Sequence, residues 1–345
     1  VVKRLNMAGV TIRDVAKAAG VSTATVSYVL NNSRQVSEAT RRRVIEAAQR
    51  LGYRANITAR NLQASETRLL GYTWRPTPPD QFNPILDQFL NAIAQAAARH
   101  EYHILTFPTT SIEEENAIYR EMVLTGQVDG FVLSNTNLDD PRVRTLLDIG
   151  FPFVAFGRSN PEWDFPWVDV DGTYGVLVAT HHLLERGHRR AWPEASLTGQ
   201  YRLEGYREAM TDAGLTVAPE WVRRTENTYE DAYRAACGLL SLPASRRPSA
   251  IVALSDLMAI GAMNAAADLG IEVGRELAIV GFDDAPVARF LRPPLSSLAQ
   301  PISEVGERLA TMLIDLVNGR RPAQAQVLLK PSLVVRASSA FRYTD

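Results

Sequence analysis

The sequence of 345 residues contains a single cysteine, Cys237, so it can form no internal disulfide bond. It also has no run of ~18 uninterrupted apolar residues, which is the length that a transmembrane helix needs. The first residues, Val1 to Arg4, lack the apolar segment and the cleavage site of a secretory signal peptide. We therefore expect a cytoplasmic protein that does not contact membranes.

Sequence motifs of the common enzyme classes are missing as well. There is no Gly-rich loop ending in Lys-Ser/Thr, no His-Glu-x-x-His and no Gly-x-Ser-x-Gly. His181, His182 and His188 are close in sequence, but neighbours on a helix point in different directions and no carboxylate or thiol set completes a metal shell. We interpret these histidines as solvated or helix-capping, and we expect no catalytic site, no cofactor and no metal.

Charge is distributed unevenly along a chain whose 46% hydrophobic and 22% charged residues are ordinary for a globular protein. Residues 1–62 carry eleven Lys and Arg against three acidic residues, which gives this segment a net charge of +8. Because the whole chain has a net charge of −1, the remainder carries −9. A small basic unit attached to an acidic body suggests a head that binds a polyanion, although a solvated basic face would have the same charge.

The basic segment predicts three short helices. Apolar residues recur at helical spacing from Ile12 to Ala19, and Gly20 then supplies a left-handed helix end. Ser22 caps a second helix, and a third begins at Ser37 and ends at Gly52. Two short helices joined by a Gly-containing turn, the second one capped by serine, have the form of a helix-turn-helix that presents one helix end to a major groove.

From Leu69 onward, strand-like apolar runs alternate with longer helical segments. This alternation predicts α/β units with a parallel sheet covered by helices on both faces. We expect a first unit that closes at Phe153–Phe156, and a second unit that includes a helix over Ser303–Val317. Ligands usually bind in the cleft at the carboxyl ends of such strands.

Residues 11–31, TIRDVAKAAGVSTATVSYVLN, resemble the headpiece of the lactose-repressor family of bacterial transcription regulators. The resemblance continues through Leu51-Gly52-Tyr53 and through Asn56 to Leu62. It extends over the body in short segments: Phe82-Asn83-Pro84, Phe156-Gly157-Arg158, Val168-Asp169-Val170-Asp171, Gly187-His188-Arg189-Arg190, Gly281-Phe282-Asp283-Asp284 and Gln300-Pro301. The resemblance therefore covers nearly the whole chain.

The resemblance implies a set of DNA contacts. Thr23, Ala24 and Tyr28 would face base edges from the second helix. Small polar groups at further positions match those that contact the DNA backbone: Thr11, Ser22, Thr25, Ser27, Asn31, Tyr53 and Asn56. Leu62 matches the leucine of the family's hinge helix, which enters the minor groove and kinks the duplex.

The resemblance also implies an effector site between two subdomains similar to those of periplasmic sugar-binding proteins. Arg202 and Asp283 are the principal candidates, because an arginine and an aspartate can each form paired hydrogen bonds with neighbouring sugar hydroxyls. Six weaker candidates complete the set: Phe82, Asn227, Ser255, Asp256, Phe282 and Gln300. The alternative for Arg202 is a helix-capping role, that for Asp283 is a turn, and that for the aromatic residues is core packing.

The segment after Arg190 departs from the family pattern. An apolar strand is expected there before the ligand loop, but Ala191-Trp192-Pro193-Glu194 follows directly. Either this strand is shortened or a few residues are absent from the sequence.

These observations predict an α/β protein with a three-helix helix-turn-helix head, a hinge helix and two Rossmann-like subdomains in a periplasmic-binding-protein-like body. We assign residues 1–54 to the head, 55–66 to the hinge or linker and 67–345 to the effector-binding and dimerisation domain. We expect a homodimeric, cytoplasmic regulator at the nucleoid that binds a double-stranded operator and is released from it by a small molecule, which we expect to be a sugar. The alternative within this class is a corepressor such as a purine; a transport protein would lack the basic head, and an enzyme would need a catalytic motif.

Overall fold

The computed structural model describes two separate compact units. The described residues are 10–30, 36–53, 66–77, 83–189, 191–195, 200–217, 223–224 and 228–343. Contacts within the chain divide it into residues 1–67 and residues 68–345. No helix in these described ranges is long and apolar enough to cross a membrane.

The first unit contains three helices, as the sequence predicts: α1 (Ile12–Ala19), α2 (Thr23–Leu30) and α3 (Glu38–Leu51). Gly20 and Gly52 end α1 and α3, each with φ 65°, a conformation that costs glycine little. Small apolar side chains from all three helices form the core: Val15, Ala16, Ala19, Val26, Val29, Val44, Ala47 and Ala48. This core fixes the angle between α1 and α2.

The body consists of two lobes, each built on a six-stranded sheet. The strands of the first lobe are β1 (Leu69–Trp74), β2 (His103–Pro108), β3 (Gly130–Ser134), β4 (Phe153–Phe156), β5 (Trp167–Val170) and β11 (Gln326–Leu329). Their order is β2-β1-β3-β4-β5-β11 and every neighbouring pair is parallel. Its helices are α4 (Pro84–Ala98), α5 (Ile112–Thr125), α6 (Pro141–Ile149) and α11 (Ile302–Val317).

The second lobe repeats this architecture. Its strands are β6 (Ala191–Ala195), β7 (Arg223–Arg224), β8 (Ala250–Val252), β9 (Ala278–Asp283), β10 (Ser296–Ala299) and β12 (Ser332–Val334). They lie in the order β7-β6-β8-β9-β10-β12, and only the β10–β12 pair is antiparallel among them. Its helices are α7 (Gly172–Glu185), α8 (Gln200–Asp212), α9 (Tyr229–Leu240) and α10 (Asp256–Asp268), with a short 3-10 helix at Pro286–Phe290.

The chain passes between the lobes three times in the described part of the body, after β5, after β10 and after β11. The prediction that the first unit closes at Phe153–Phe156 is therefore wrong, because β5 and β11 extend its sheet. The placement of the helix over Ser303–Val317 in the second unit is also wrong. This helix, α11, packs against α4 in the first lobe, where a Cβ added to Gly306 would lie 2.7 Å from the Cβ of Ala92.

The segment after Arg190 forms strand β6 from the residues present. Ala191, Trp192 and Pro193 pair in parallel with Ala250, Ile251 and Val252 of β8. The five residues of β6 are sufficient for a short strand.

His182 and His188 are buried, so their interpretation as solvated or capping residues is wrong. His182 Nε2 lies 2.8 Å from Ser339 Oγ, and His188 Nδ1 lies 3.1 Å from Ser249 Oγ. Both histidines pack under the last described residues of the chain, which sequence spacing does not reveal. His181 remains 40% exposed, with its Nε2 3.7 Å from Asp212 Oδ2.

Candidate functional site

The first turns of α1 and α2 are each held by short-range hydrogen bonds from side chains. Ser22 Oγ accepts a hydrogen bond from the backbone N–H of Thr25 at 3.1 Å, which makes Ser22 the cap of α2. The Thr11 hydroxyl donates to the Asp14 carboxylate at 2.7 Å, and the Thr11 backbone N–H donates to the same oxygen at 2.8 Å. These bonds fix the start of each helix and lower the pKa of Asp14.

The start of α2 is exposed. Thr23 and Ala24 are exposed, whereas Val26 and Val29, on the opposite side of the helix, are buried in the core. Ser27 and Tyr28 are half-buried, and Tyr53 packs against the core from beyond α3. The geometry thus leaves the first turn of α2 open to a partner, as the resemblance implies for base contacts. Asn31, Asn56 and Leu62, and most of the hinge assigned to residues 55–66, lie outside the described residues.

Arg202, on α8, forms the centre of a buried polar group in the second lobe. Its guanidinium carbon lies 3.7 Å from the centre of the Phe282 ring, and Nη1 donates to the carbonyl oxygen of Leu254. Burial lowers the pKa of Arg202, whereas the negative charges of Asp283 and Asp169 raise it. Phe282 is completely buried, and its ring packs against the guanidinium of Arg202.

Asp283 ends β9 in an unusual backbone conformation. Its φ is 119° and that of Asp284 is 49°, both in a region that side chains other than glycine rarely adopt. The Asp283 carboxylate accepts a hydrogen bond from Gln300 Nε2 at 2.6 Å and another from the backbone of Asp256. Burial raises the pKa of Asp283 to about 6, although Arg202 and Gln300 oppose this shift. Backbone strain of this kind concentrates at ligand sites.

Asp256 and Ser255 satisfy their hydrogen bonds within the protein. Asp256 Oδ1 accepts from Ser297 Oγ at 2.6 Å, and Oδ2 accepts from the backbone N–H of Ala285 at 2.7 Å. Ser255 caps α10 by accepting from the Met258 N–H at 3.2 Å. Burial raises the pKa of Asp256 to about 7. Asp256 therefore orders the turn after Asp283, and Ser255 orders the start of α10. Phe82 and Asn227 lie outside the described residues.

The first lobe contains a cavity of about 270 Å³ at the carboxyl ends of β1, β3 and β4, which sequence reasoning missed. This volume is close to the lower end of small-molecule sites, about 300–1,000 Å³. Aromatic rings, amides and charged groups line it: Tyr72, Thr73, Trp74, Arg75, Asn83, Ile85, Leu86, Phe89, Glu115, Ser134, Asn135, Asn137, Arg142 and Phe156. Only Asn83, within the Phe82-Asn83-Pro84 segment, and Phe156, within the Phe156-Gly157-Arg158 segment, carried a sequence signal.

A buried charge network forms one wall of this cavity. Arg142 donates to Glu115 at 2.9 Å and to Asp140 at 2.8 Å, and it also donates to the carbonyl oxygens of Ser134 and Asn135. Burial raises the pKa of Asp140, but the Arg142 guanidinium outweighs burial and lowers this pKa below its usual range. Arg75 Nε lies 3.5 Å from Glu115, so two arginines balance two carboxylates. The wall is polar but has no excess charge.

The two polar regions lie beside each other across the lobes. Phe156 lines the cavity of the first lobe, and two residues later the Arg158 guanidinium carbon lies 3.7 Å from the centre of the Tyr201 ring. Tyr201 immediately precedes Arg202 on α8. The cavity and Arg202 therefore lie on segments that meet at the Arg158–Tyr201 contact between the lobes. Within the described ranges, no three or more His, Cys, Asp or Glu residues are arranged to hold a metal ion.

Comparison with known proteins agrees with both parts of the chain. A model of bacterial regulatory proteins of the lacI family matches residues 11–56, and a model of the periplasmic binding protein-like domain matches residues 180–339. The transcriptional repressor CytR of Escherichia coli K12 is 33% identical over 334 residues, 95% of this chain and 96% of CytR. The chain belongs to the lacI family. Similarity to this regulator along nearly its whole length makes it a DNA-binding transcription regulator of that family.

Solved structures of lacI-family proteins share the fold. A regulatory protein of the family from Chloroflexus aggregans is 48% identical, with a TM-score of 0.76; the match covers 79% of this chain and 99% of that one. The transcriptional regulator CelR, solved in complex with cellobiose, is 31% identical over 95% of this chain and 99% of CelR, with a TM-score of 0.72. The family and the fold predicted from the sequence are thus confirmed.

Proposed function

We propose that this lacI-family regulator is a cytoplasmic homodimer that represses transcription by binding a palindromic operator, and that a sugar bound between the lobes releases it. A basic head supports the first part, because cations clustered on one unit attract DNA phosphates and release their counterions. A dimer with two heads matches two half-sites of a palindrome. The predicted base contacts of Thr23, Ala24 and Tyr28 belong to this proposal.

The electrostatic interaction between partly buried Arg202 and partly buried Asp283 is the observation that carries the choice of a sugar. A polyol has neighbouring hydroxyls that both donate and accept, so it needs a charged donor and a charged acceptor at one place. Gln300 adds an amide on the same side, and Trp74 and Phe156 add aromatic surface in the cavity opposite. A wall without excess charge, formed by two arginines and two carboxylates, suits a neutral ligand.

In this proposal, the effector changes the angle between the lobes and hence the placement of the heads. The three chain crossings are the segments at which such a rotation would occur. The coupling is reciprocal: an effector that weakens operator binding by some factor must itself bind more weakly, by the same factor, to the operator complex.

A thermal-shift panel tests the ligand class on the purified full-length protein. We expect cellobiose or another neutral sugar to raise the melting temperature, because a ligand that binds only the folded state stabilises it. Arg202→Gln should abolish the shift, whereas Arg144→Gln, which removes an exposed ion pair on α6, should retain it. Stabilisation by purines alone would replace the sugar inducer with a corepressor.

A further inference from the structure

Arg158 connects the two lobes through two contacts. It follows β4 of the first lobe, where its Nε donates to Asp169 Oδ2 on β5 at 2.7 Å. Its guanidinium carbon also lies 3.7 Å from the centre of the Tyr201 ring, which belongs to α8 of the second lobe. The Arg158 and Asp169 side chains are only 22% and 20% exposed. Partial burial reduces solvent screening, so this pair holds its geometry better than an ordinary surface ion pair.

Both ends of this contact are fixed within their own lobes. The Arg158 carbonyl oxygen accepts a hydrogen bond from Thr136 Oγ1 at 3.0 Å. At the other end, the Tyr201 carbonyl oxygen accepts from Thr173 Oγ1 at 2.9 Å. Around Thr173, α7 and α8 are in such close contact that a Cβ added to Gly205 would lie 2.0 Å from the Thr173 carbonyl oxygen. A rotation of one lobe against the other must therefore change the Arg158–Tyr201 contact itself.

Asp169 links this contact to the buried polar group of the second lobe. Burial raises the pKa of Asp169, and the positive charges of Arg158 and then Arg202 oppose that shift. Asp169 thus experiences one arginine from each lobe. It also stands two residues before Asp171, which caps α7 at the first chain crossing by accepting from the Tyr174 N–H at 2.9 Å.

We propose that Arg158, Asp169 and Tyr201 form an inter-lobe clasp that holds the lobes in the arrangement seen here. Its regulatory meaning rests on the proposed function, but the mechanical role does not. Removal of the clasp shifts the balance toward the other arrangement of the lobes and so changes the affinity for the effector. A partly buried cation–π contact predicts a change in affinity of about 3- to 10-fold.

Hydrogen–deuterium exchange of the full-length protein, without DNA or effector, tests the clasp directly. We compare wild type with Tyr201→Leu, Arg158→Gln and the double variant. We expect at least threefold faster exchange in the segments around all three chain crossings, at Asp171–Gly172, Gln300 and Lys330. A factor of about three corresponds to the free energy of the Arg158–Tyr201 contact. The double variant should exchange no faster than Arg158→Gln, because that substitution already removes the contact with Tyr201.

Two controls separate the clasp from a local packing effect. Tyr201→Phe keeps the ring and should exchange like wild type, and Arg144→Gln removes an Arg–Asp ion pair within a single helix. Faster exchange confined to the residues next to positions 158 and 201, or additive effects in the double variant, would overturn the proposal. Because no ligand is present, this outcome is independent of whether a sugar is the effector.

Discussion

Arg142 carries more internal hydrogen bonds than an exposed arginine, because it joins two buried carboxylates to the end of strand β3. Its side chain is 7% exposed, and those of Glu115 and Asp140 are 1% and 0% exposed. The attraction within this group offsets the cost of removing all three charges from water. The positions span 27 residues of sequence, so no local motif announces the network.

Replacing Arg142 should therefore destabilise the body strongly. Arg142→Met leaves Asp140 buried without a cation and Glu115 with only the exposed Arg75, and we expect the free energy of unfolding to fall by about 3–5 kcal/mol in urea denaturation. Arg144, two residues further along α6, forms an exposed ion pair with Asp148 and serves as the control. Arg144→Gln should cost less than about 1 kcal/mol. Equal losses in the two variants would mean that the buried network does not stabilise the fold.

His188 should make stability depend on pH. Burial lowers its pKa to about 4, and the nearby His182, Arg186 and Arg189 also disfavour its protonation. Nε2 is buried without a hydrogen-bond partner, so the protonated ring would carry an unsatisfied donor. Below a pH of about 6.5, His188 binds a proton in the unfolded chain but stays neutral in the folded protein. Stability is therefore lost as pH falls toward about 4.

The size of this effect follows from the difference between the pKa of His188 in the folded protein and in the unfolded chain. This difference corresponds to a loss of about 3 kcal/mol in the free energy of unfolding between pH 7 and pH 4. His188→Asn keeps a side-chain amide near Ser249 and cannot titrate. Chemical denaturation of both proteins across this range should show the larger loss in wild type. If the difference in stability between the two proteins is the same at pH 4 and pH 7, His188 is not the titrating group.

Among the helices, α11 illustrates how packing decides what periodicity leaves open. Gly306 lies where α11 approaches α4, and an added Cβ would lie 2.7 Å from Ala92 Cβ and 2.9 Å from the backbone nitrogen of Ile93. Because both neighbours are close to or part of the backbone, they cannot move aside cheaply. The glycine thus allows the closest approach of the two helices.

Gly306→Ala should force α4 and α11 apart and lower the free energy of unfolding by about 1–3 kcal/mol. Gly238, on α9, has no atom within 4 Å of an added Cβ. Gly238→Ala should instead raise stability by about 0.5–1 kcal/mol, since alanine favours the helix. The pair of variants shares one chemical change, and thermal unfolding should show shifts of opposite sign. Two shifts of the same sign would contradict the packing argument.

The sequence predicted most helices and strands because apolar spacing and caps are local signals. Ser22, Ser37, Gly20 and Gly52 all stand at the helix ends expected for them. It failed where the signal is not local: the pattern of α11 shows an amphipathic helix but not which sheet it covers. The same difference between local and distant signals separates the site residues that were predicted from those that were missed. Arg202 and Asp283 came from the family resemblance, whereas the cavity wall of Glu115 and Arg142 depends on contacts between distant segments.

At the scale of the whole molecule, the two units differ in charge as their proposed functions require. The positive segment contains the helix pair, and the negative remainder contains the cleft. Each unit has its own core, so a ligand in the cleft can act on DNA binding only through the arrangement of the lobes and the position of the heads. The proposed regulation therefore depends on reciprocal coupling between the cleft and the operator site.

Fluorescence anisotropy with a labelled duplex, first selected from random DNA by the purified protein, tests this claim most directly. We predict that the stabilising sugar weakens duplex binding at least tenfold, a typical size for such coupling, and that Arg202→Gln binds the duplex normally but does not respond to the sugar. Failure to select any duplex would contradict DNA binding by the head. A duplex affinity that no bound ligand changes in either direction would contradict the coupling between ligand and DNA.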